Sequence, residues 1–333
     1  MNRLLLIVFA CGLAAPALGA PIALDPAKLR LASANAVIWD PAAQRPIYAK
    51  AADEVTPIAS LTKLMTAIVV LDAAQPADEA IEIETDDFDF LKGSRSRLRM
   101  GATLSRREML RLALMSSENR AASSLARHYP GGTTAFIAAM NAKARALGMT
   151  RTHYADPTGL SADNMSTAND LAKLVQVAAE YPLIREFSTT PAHYVELQPT
   201  GRMLTFNNSN SLVKNQAWDI QLQKTGYIRE AGRCMVMLTT IGSKPFVIVL
   251  LDSWGKYTRL GDAQRVKHWL ETGETLASSA ALGPPRRFHG SFEPRARHVA
   301  KPVASARVVR GGVHTVKLSR KTRTASTAAA RRG

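Results

Sequence analysis

Cysteine is scarce in this chain: two in 333 residues, Cys11 and Cys234. Cys11 lies inside an apolar N-terminal leader, so the mature chain keeps Cys234 alone and can form no internal disulfide. The fold must then rely on its core, and Cys234 itself reads as a small hydrophobe in a strand. Long apolar runs are missing too. Residues 1–20 hold Arg3, a short run from Leu4 to Ala10 and then small residues, the layout of a secretory signal cleaved after Gly19 or Ala20. Pro16 and two glycines interrupt the run, which is too short for a membrane anchor. Phe9 and the Ala-rich stretch disfavour lipid attachment at Cys11. Metal-ligand spacing is also absent. His128 and His153 stand apart, His268 falls in a helical run and the other histidines do not cluster, so neither metal nor cofactor is expected. There is no internal repeat.

Acid is scarce at one end only. The stretch 275–333 carries thirteen Lys/Arg against one acid, Glu293, and so holds +12 of the net +16. Arg3 adds one more, which leaves residues 21–274 at +3, and the basic balance is therefore no sign of a nucleic-acid partner. After Gly273 helical periodicity stops and Ala, Arg, Pro and Ser take over, so 275–333 is read as a disordered basic tail. It lacks the apolar stripe of a membrane-lying helix. An anionic wall or membrane surface is the partner its charge would suit. The organisation read is leader 1–20, catalytic domain 21–274, tail 275–333.

What is present begins with Ser60. The stretch 57–71 places a serine at the head of an apolar helical run, ending near Ala74, with Lys63 three residues on. Positions i and i+3 share a helix face about 5–6 Å apart. A desolvated lysine amine there can take the hydroxyl proton, and the helix N-terminus adds free N–H donors beside the oxygen.

Around it, residues 34–50 read as two strands about an Asp40-Pro41 turn. Residues 77–103 are mixed; the acids Asp86, Asp87 and Asp89 and the bases Lys92, Arg95, Arg97 and Arg99 read as solvated faces. Helical runs follow over 105–115, 120–129 and 133–147, with Ser116–Asn119 at the first joint and Gly148 as a stop. A turn at 156–160 precedes a helix to about 180, capped by Ser166 or Thr167. Beyond Pro191 the pattern turns to strands: 220–226 alternates towards Gly226, 233–241 and 245–252 form a hairpin about Gly242-Ser243, and 261–272 closes as a helix. Strands, many helices, then strands and a helix describe an α/β chain of the α+β type, an antiparallel sheet flanked by helices with an inserted helical lobe.

A lone Ser-x-x-Lys means little, since 211–214 is another, and a lone Ser-x-Asn means as little, since 33–35 is another. Such pairs recur about once by chance in a chain this long. Order and context separate the sets. Ser60-x-x-Lys63 opens a helix, Ser117-x-Asn119 sits at a helix joint, and Lys224-Thr225-Gly226 ends a strand. Ser211 follows the helical lobe and Ser33 precedes Ser60, so both decoys fail on order. Ser-x-x-Lys, Ser-x-Asn and Lys-Thr-Gly together are the signature of penicillin-binding proteins and class A β-lactamases.

Over about residues 30–273 the chain resembles the low-molecular-mass penicillin-binding proteins of the serine D-Ala-D-Ala peptidase family, and among them the periplasmic D-alanyl-D-alanine endopeptidases. The likeness runs through 57–67, 112–122, 129–132, 140–144, 157–161 and 223–226. The resemblance implies the serine β-lactamase/DD-peptidase-like fold, a periplasmic location and a peptidoglycan peptide as substrate, with β-lactams as covalent inhibitors. It makes Ser60 the acylated nucleophile, Lys63 its base and Ser117 the proton relay to the leaving amine. Asn119 would hold Lys63 and the substrate amide, and Lys224 and Thr225 the anionic end of the ligand. Gly226 would let the strand approach that ligand, and the N–H groups of Ser60 and Tyr227 would form the oxyanion hole. Glu118, the middle of its motif, is read as tuning the site or lying on the surface. A carboxypeptidase would share these motifs; a non-catalytic wall-binding protein would not need them. No acidic loop of the class A deacylating type is found, so a β-lactam acyl-enzyme should be long-lived.

Overall fold

The computed structural model describes residues 22–274 and 276. The leader read at 1–20 and, save Leu276, the tail read at 275–333 lie outside them. After a 3-10 turn over Pro26–Lys28 come β1 (Asn35–Asp40) and β2 (Arg45–Lys50), a hairpin whose turn is held by Asp40 Oδ1 accepting from the amides of Ala42 and Ala43. After β3 (Thr56–Pro57), residues 59–62 wind a single 3-10 turn into α1 (Lys63–Asp72). All of α1 from Lys63 to Val70 is buried, as a helix apolar all round must be. Then come β4 (Ala80–Glu82), β5 (Thr103–Ser105), α2 (Arg106–Met115), α3 (Asn119–Arg127) and α4 (Gly132–Ala146). Ser105 caps α2 by accepting from the Glu108 amide.

Two residues of β6 (Met165–Ser166) pair with β3, and α5 (Ala168–Ala178) follows, capped by Thr167 rather than Ser166. The sequence reading has no element between 180 and 191, yet α6 (Pro182–Thr189) is there. Pro182 sits at its first position, where a missing N–H costs nothing, and Ile184 and Phe187 anchor it in the core. A hairpin of β7 (Ala192–Leu197) and β8 (Arg202–Asn207) leads to β9 (Asp219–Ile228), β10 (Gly232–Ile241) and β11 (Lys244–Ser253). Gly242 and Ser243, both at positive φ, make the tight β10–β11 turn. The last helix, α7 (Thr258–Thr272), begins three residues before its expected start.

The main sheet has the order β2-β1-β11-β10-β9, antiparallel throughout. Its strands alternate between two cores. Val37, Cys234, Val236, Val247, Val249 and Leu251 face the helical lobe, while Ile38, Met235, Met237, Ile248 and Leu250 pack with Val266 and Trp269 of α7. Both faces are covered, which is why these strands read as unbroken apolar runs. Cys234 is fully buried in β10, as its sequence context implied.

One buried carboxylate ties the segment before β1 to α7. Asp262, with no exposed surface, accepts from the amides of Ala32 (2.9 Å) and Ser33 (2.7 Å) and from Ser33 Oγ (2.6 Å). Ser33, the decoy of the second motif, is thus a structural residue. Replacing Asp262 with alanine strands these buried donors and should lower stability by about 3 kcal/mol in chemical denaturation. A change under about 0.5 kcal/mol, the range of a neutral surface substitution, would contradict this.

Candidate active site

Ser60 stands where the 3-10 turn leads into α1. Ala59 before it takes a left-handed φ of 48°, which turns the chain sharply out of β3. Lys63, one turn on, is fully buried. Its Nζ donates to Ser60 Oγ (3.0 Å), to Asn119 Oδ1 (2.7 Å) and to the Thr158 carbonyl (2.6 Å). Burial drives its pKa down to about 7, against the opposing pull of Asp156 and Glu118. A large share of the amine is therefore neutral near neutral pH. In that state two protons stay on Asn119 and Thr158, and the lone pair faces the Ser60 hydroxyl.

The 156–161 turn that supplies Thr158 is held from within. Asp156 accepts from the amides of Thr158 (2.6 Å), Gly159 (2.8 Å) and Ser161 (2.8 Å). At Gly159, φ is +83° and a Cβ would fall 2.0 Å from the Ala59 carbonyl oxygen. The turn thus lies directly against the Ser60 backbone.

Ser117 occupies the joint between α2 and α3 at a φ of 62°, a strained conformation for a serine. Its Oγ accepts from Lys224 Nζ at 2.9 Å, and Lys224 also donates to the Thr225 carbonyl (2.8 Å). Lys224 is fully buried, and burial, with Lys63 and Arg259 nearby, holds its pKa well below the usual lysine value. Asn119 opens α3 and donates onward to Ser94 Oγ (2.9 Å). Thr225 Oγ1 donates to Ser209 Oγ (2.7 Å).

Four details depart from the sequence reading. Lys224-Thr225-Gly226 lies inside β9, which runs two residues past Gly226. Gly226 is demanded by the protein itself: a Cβ there would come within 3.0 Å of Ala59 Cβ and 3.1 Å of the Ser60 nitrogen. Glu118 is buried, so the surface reading falls; desolvation raises its pKa. Of the charged residues read as solvated, Lys92, Arg95, Arg97 and Arg99 are exposed, but Asp87 is buried, its carboxylate accepting from Arg127 at 2.9 Å.

The cleft between the lobe and β9 holds about 750 Å³. Ser60, Ser117, Asn119, Thr225, Gly226 and Tyr227 all line it, so all three motifs meet at one opening. Of the second Ser-x-x-Lys, neither Ser211 nor Lys214 does; Lys214 bonds Asn207 instead. Among the described residues no group of three or more His, Cys, Asp or Glu is placed to hold a metal.

Residues 22–254 match the peptidase S11 family, described as D-alanyl-D-alanine carboxypeptidase. The chain belongs to this family of serine D-Ala-D-Ala peptidases. It is 48% identical over 281 residues to the D-alanyl-D-alanine endopeptidase of Pseudomonas aeruginosa, covering 84% of this chain and 89% of that one. With the D-alanyl-D-alanine endopeptidase of Escherichia coli it shares 49% over 251 residues, 75% and 81% of the two chains. Among solved structures, the Streptomyces K15 DD-transpeptidase superposes with a TM-score of 0.68 at 28% identity, over 73% of this chain and 98% of that one. A penicillin-binding protein D2 of Listeria monocytogenes, solved in its cefotaxime-bound form, gives 0.64 at 28%, over 72% and 97%.

Within this D-Ala-D-Ala peptidase site the sequence reading missed Ser94, Ser209 and Arg259, which line the cleft. Arg259 Nη1 donates to the Gly226 carbonyl at 3.1 Å and so steadies β9 from α7. Ser94 and Ser209 stand in no motif, and only the folded topology brings them to Asn119 and Thr225.

Proposed function

We propose that this D-Ala-D-Ala peptidase is a serine DD-endopeptidase that hydrolyses the peptide cross-links of peptidoglycan, with Ser60 as nucleophile. The observation that carries the reading is the 3.0 Å contact between Ser60 Oγ and a buried Lys63 amine whose pKa is about 7. Lys63 accepts the hydroxyl proton as Ser60 attacks the carbonyl of the D-Ala-X bond. The amides of Ser60 and Tyr227 receive the oxyanion; the packing of Gly226 against the Ser60 nitrogen supports the first of these positions. Ser117, fed by Lys224, passes a proton to the leaving amine, and the ester on Ser60 is released by water. Asn119 orients Lys63 and the substrate amide, and Lys224 with Thr225 holds the anionic end of the ligand.

The relatives named endopeptidase share close to half their residues with this chain, which favours the endopeptidase over the carboxypeptidase. Penicillin acylates the same serine. Glu230, the one carboxylate lining the cleft among the described residues, is engaged by Lys92, so no free carboxylate of the class A kind stands ready to drive water onto a β-lactam ester. No described helix is long and apolar enough to cross a membrane. Residues 1–20 act as the leader to the periplasm, 21–274 as the catalytic domain, and 275–333 as a basic appendage suited to an anionic wall or membrane surface.

A digest of purified cross-linked peptidoglycan, read by muropeptide mass against a Ser60→Ala control, tests the reading. Dimers should fall to monomers with terminal D-Ala untouched. Pentapeptides losing one alanine while dimers persist would make the enzyme a carboxypeptidase. No change in either would favour a wall-binding protein without activity.

A further inference from the structure

The cleft does not end at Tyr227. Beyond it lies a second hollow of about 240 Å³, walled by the β9–β10 turn and the 252–256 segment that ends β11. Tyr227 and Arg229 line both hollows, so the second continues the first. Five Phe, Tyr or Trp side chains are exposed among the described residues, and two of them, Tyr227 and Trp254, line this hollow, with a third, Tyr257, next to its Lys256 in the chain. Exposed aromatic rings gathered beside a cleft are candidates for a contact site. Cations are fixed beside the rings. The Arg233 guanidinium lies 4.5 Å from the Tyr227 centroid, and the Lys256 ammonium 5.2 Å from that of Tyr257. The wall carries Arg229, Arg233 and Lys256 against one acid, Asp252.

Flat rings beside fixed positive charge suit a ligand that has both an apolar ring face and carboxylates. The C–H face of a pyranose lies on an indole or phenol ring, whose polar edge stays hydrated, while the cations meet the acid groups. A peptide carboxylate alone would use the cations and leave Trp254 without a purpose. The side pocket past Phe90 and Leu91 is built differently: no Lys or Arg lines it, and its acids Asp87, Asp89 and Asp156 are taken up by Arg127 and by backbone amides. We propose that the hollow between Tyr227 and Lys256 binds the amino-sugar strand beside the unit that carries the peptide substrate, at sugars that bear no peptide and so keep free lactyl carboxylates, with Trp254 as the ring platform. The inference rests on the peptidoglycan reading of the main cleft. It makes the enzyme a reader of strand and cross-link together.

The test is a calorimetric titration of the full chain carrying Ser60→Ala with peptide-free glycan strands whose lactyl carboxylates are free. Adding Trp254→Ala should weaken binding at least tenfold, and Lys256→Glu should weaken it too, with melting midpoints unchanged. The basic tail is present in every variant, so its own contribution cancels. Equal affinity in the Trp254→Ala protein would overturn the proposal. So would the absence of glycan binding in the parent, or binding of free stem peptide in its place. Should Trp254→Ala fail to fold, Lys256→Glu, on an exposed side chain, decides alone. Because the titration needs no hydrolysis, an enzyme that leaves cross-links intact in the digest sinks the endopeptidase reading and not this one.

Discussion

Replacing Lys63 with methionine should slow acylation of Ser60 by about three orders of magnitude, within the range of a lost general base. Methionine keeps the length and the apolar stem of lysine but has no group that can take a proton. The buried amine is held on three sides, by Ser60, Asn119 and Thr158, so no water can readily replace it. The pH dependence has a definite sign. Desolvation lowers the Lys63 pKa to about 7, so the neutral, competent amine accumulates as pH rises through that value. Acylation by benzylpenicillin should therefore climb up to about pH 7 and level off above it. Lys63→Met should lose this rise along with the rate. Glu118 raises the Lys63 pKa, so Glu118→Gln should move the rise to lower pH. Stopped-flow acylation across pH checks both; a wild-type rate flat from pH 5 to 9 would show that Lys63 is not the base.

A comparable loss is expected from a residue that touches no substrate. Gly159→Ala puts a methyl 2.0 Å from the Ala59 carbonyl oxygen, at a φ of +83° that costs an alanine about 1–2 kcal/mol by itself. The atom it meets is backbone, so the clash cannot be relieved by a rotamer. Either the 156–161 turn or the Ser60 turn must move, and with it the Thr158 carbonyl or the nucleophile. A displacement of about 1 Å in a reacting group can cost about 10²-fold in rate. Penicillin acylation should fall by at least that factor while circular dichroism stays native. A Gly159→Ala enzyme with wild-type acylation would show that the two turns are less tightly coupled than their packing requires.

Much of this site could be read from sequence because its chemistry depends on local spacing. Ser60 and Lys63 are one turn apart, and the apolar run behind them announces a buried helix. Ser117 and Asn119 straddle a helix joint, and Lys224 sits in an alternating strand. Partners supplied by distant segments carried no such mark. Ser209 is one loop serine among many until β9 brings Thr225 to within 2.7 Å of it. Arg259 looks like an ordinary residue near a helix start, yet it reaches the Gly226 carbonyl. Gly226 was legible as a required glycine, but the neighbour that requires it, the Ala59–Ser60 backbone, was not. The helix Pro182–Thr189 escaped because eight residues carry too little periodicity to stand out before a strand region, and its anchors Ile184 and Phe187 gain their meaning from the lobe they pack into. Burial of Glu118 is likewise a tertiary fact.

The central claim is that Ser60, and no other serine, is the nucleophile of a slowly deacylating site. Incubation of the full-length enzyme with benzylpenicillin, followed by intact mass and peptide mapping, tests it most directly. One long-lived adduct on the peptide containing Ser60, and none in Ser60→Ala, is the expected result. An adduct on Ser117 or Ser211, or rapid return to the unmodified mass, would contradict it.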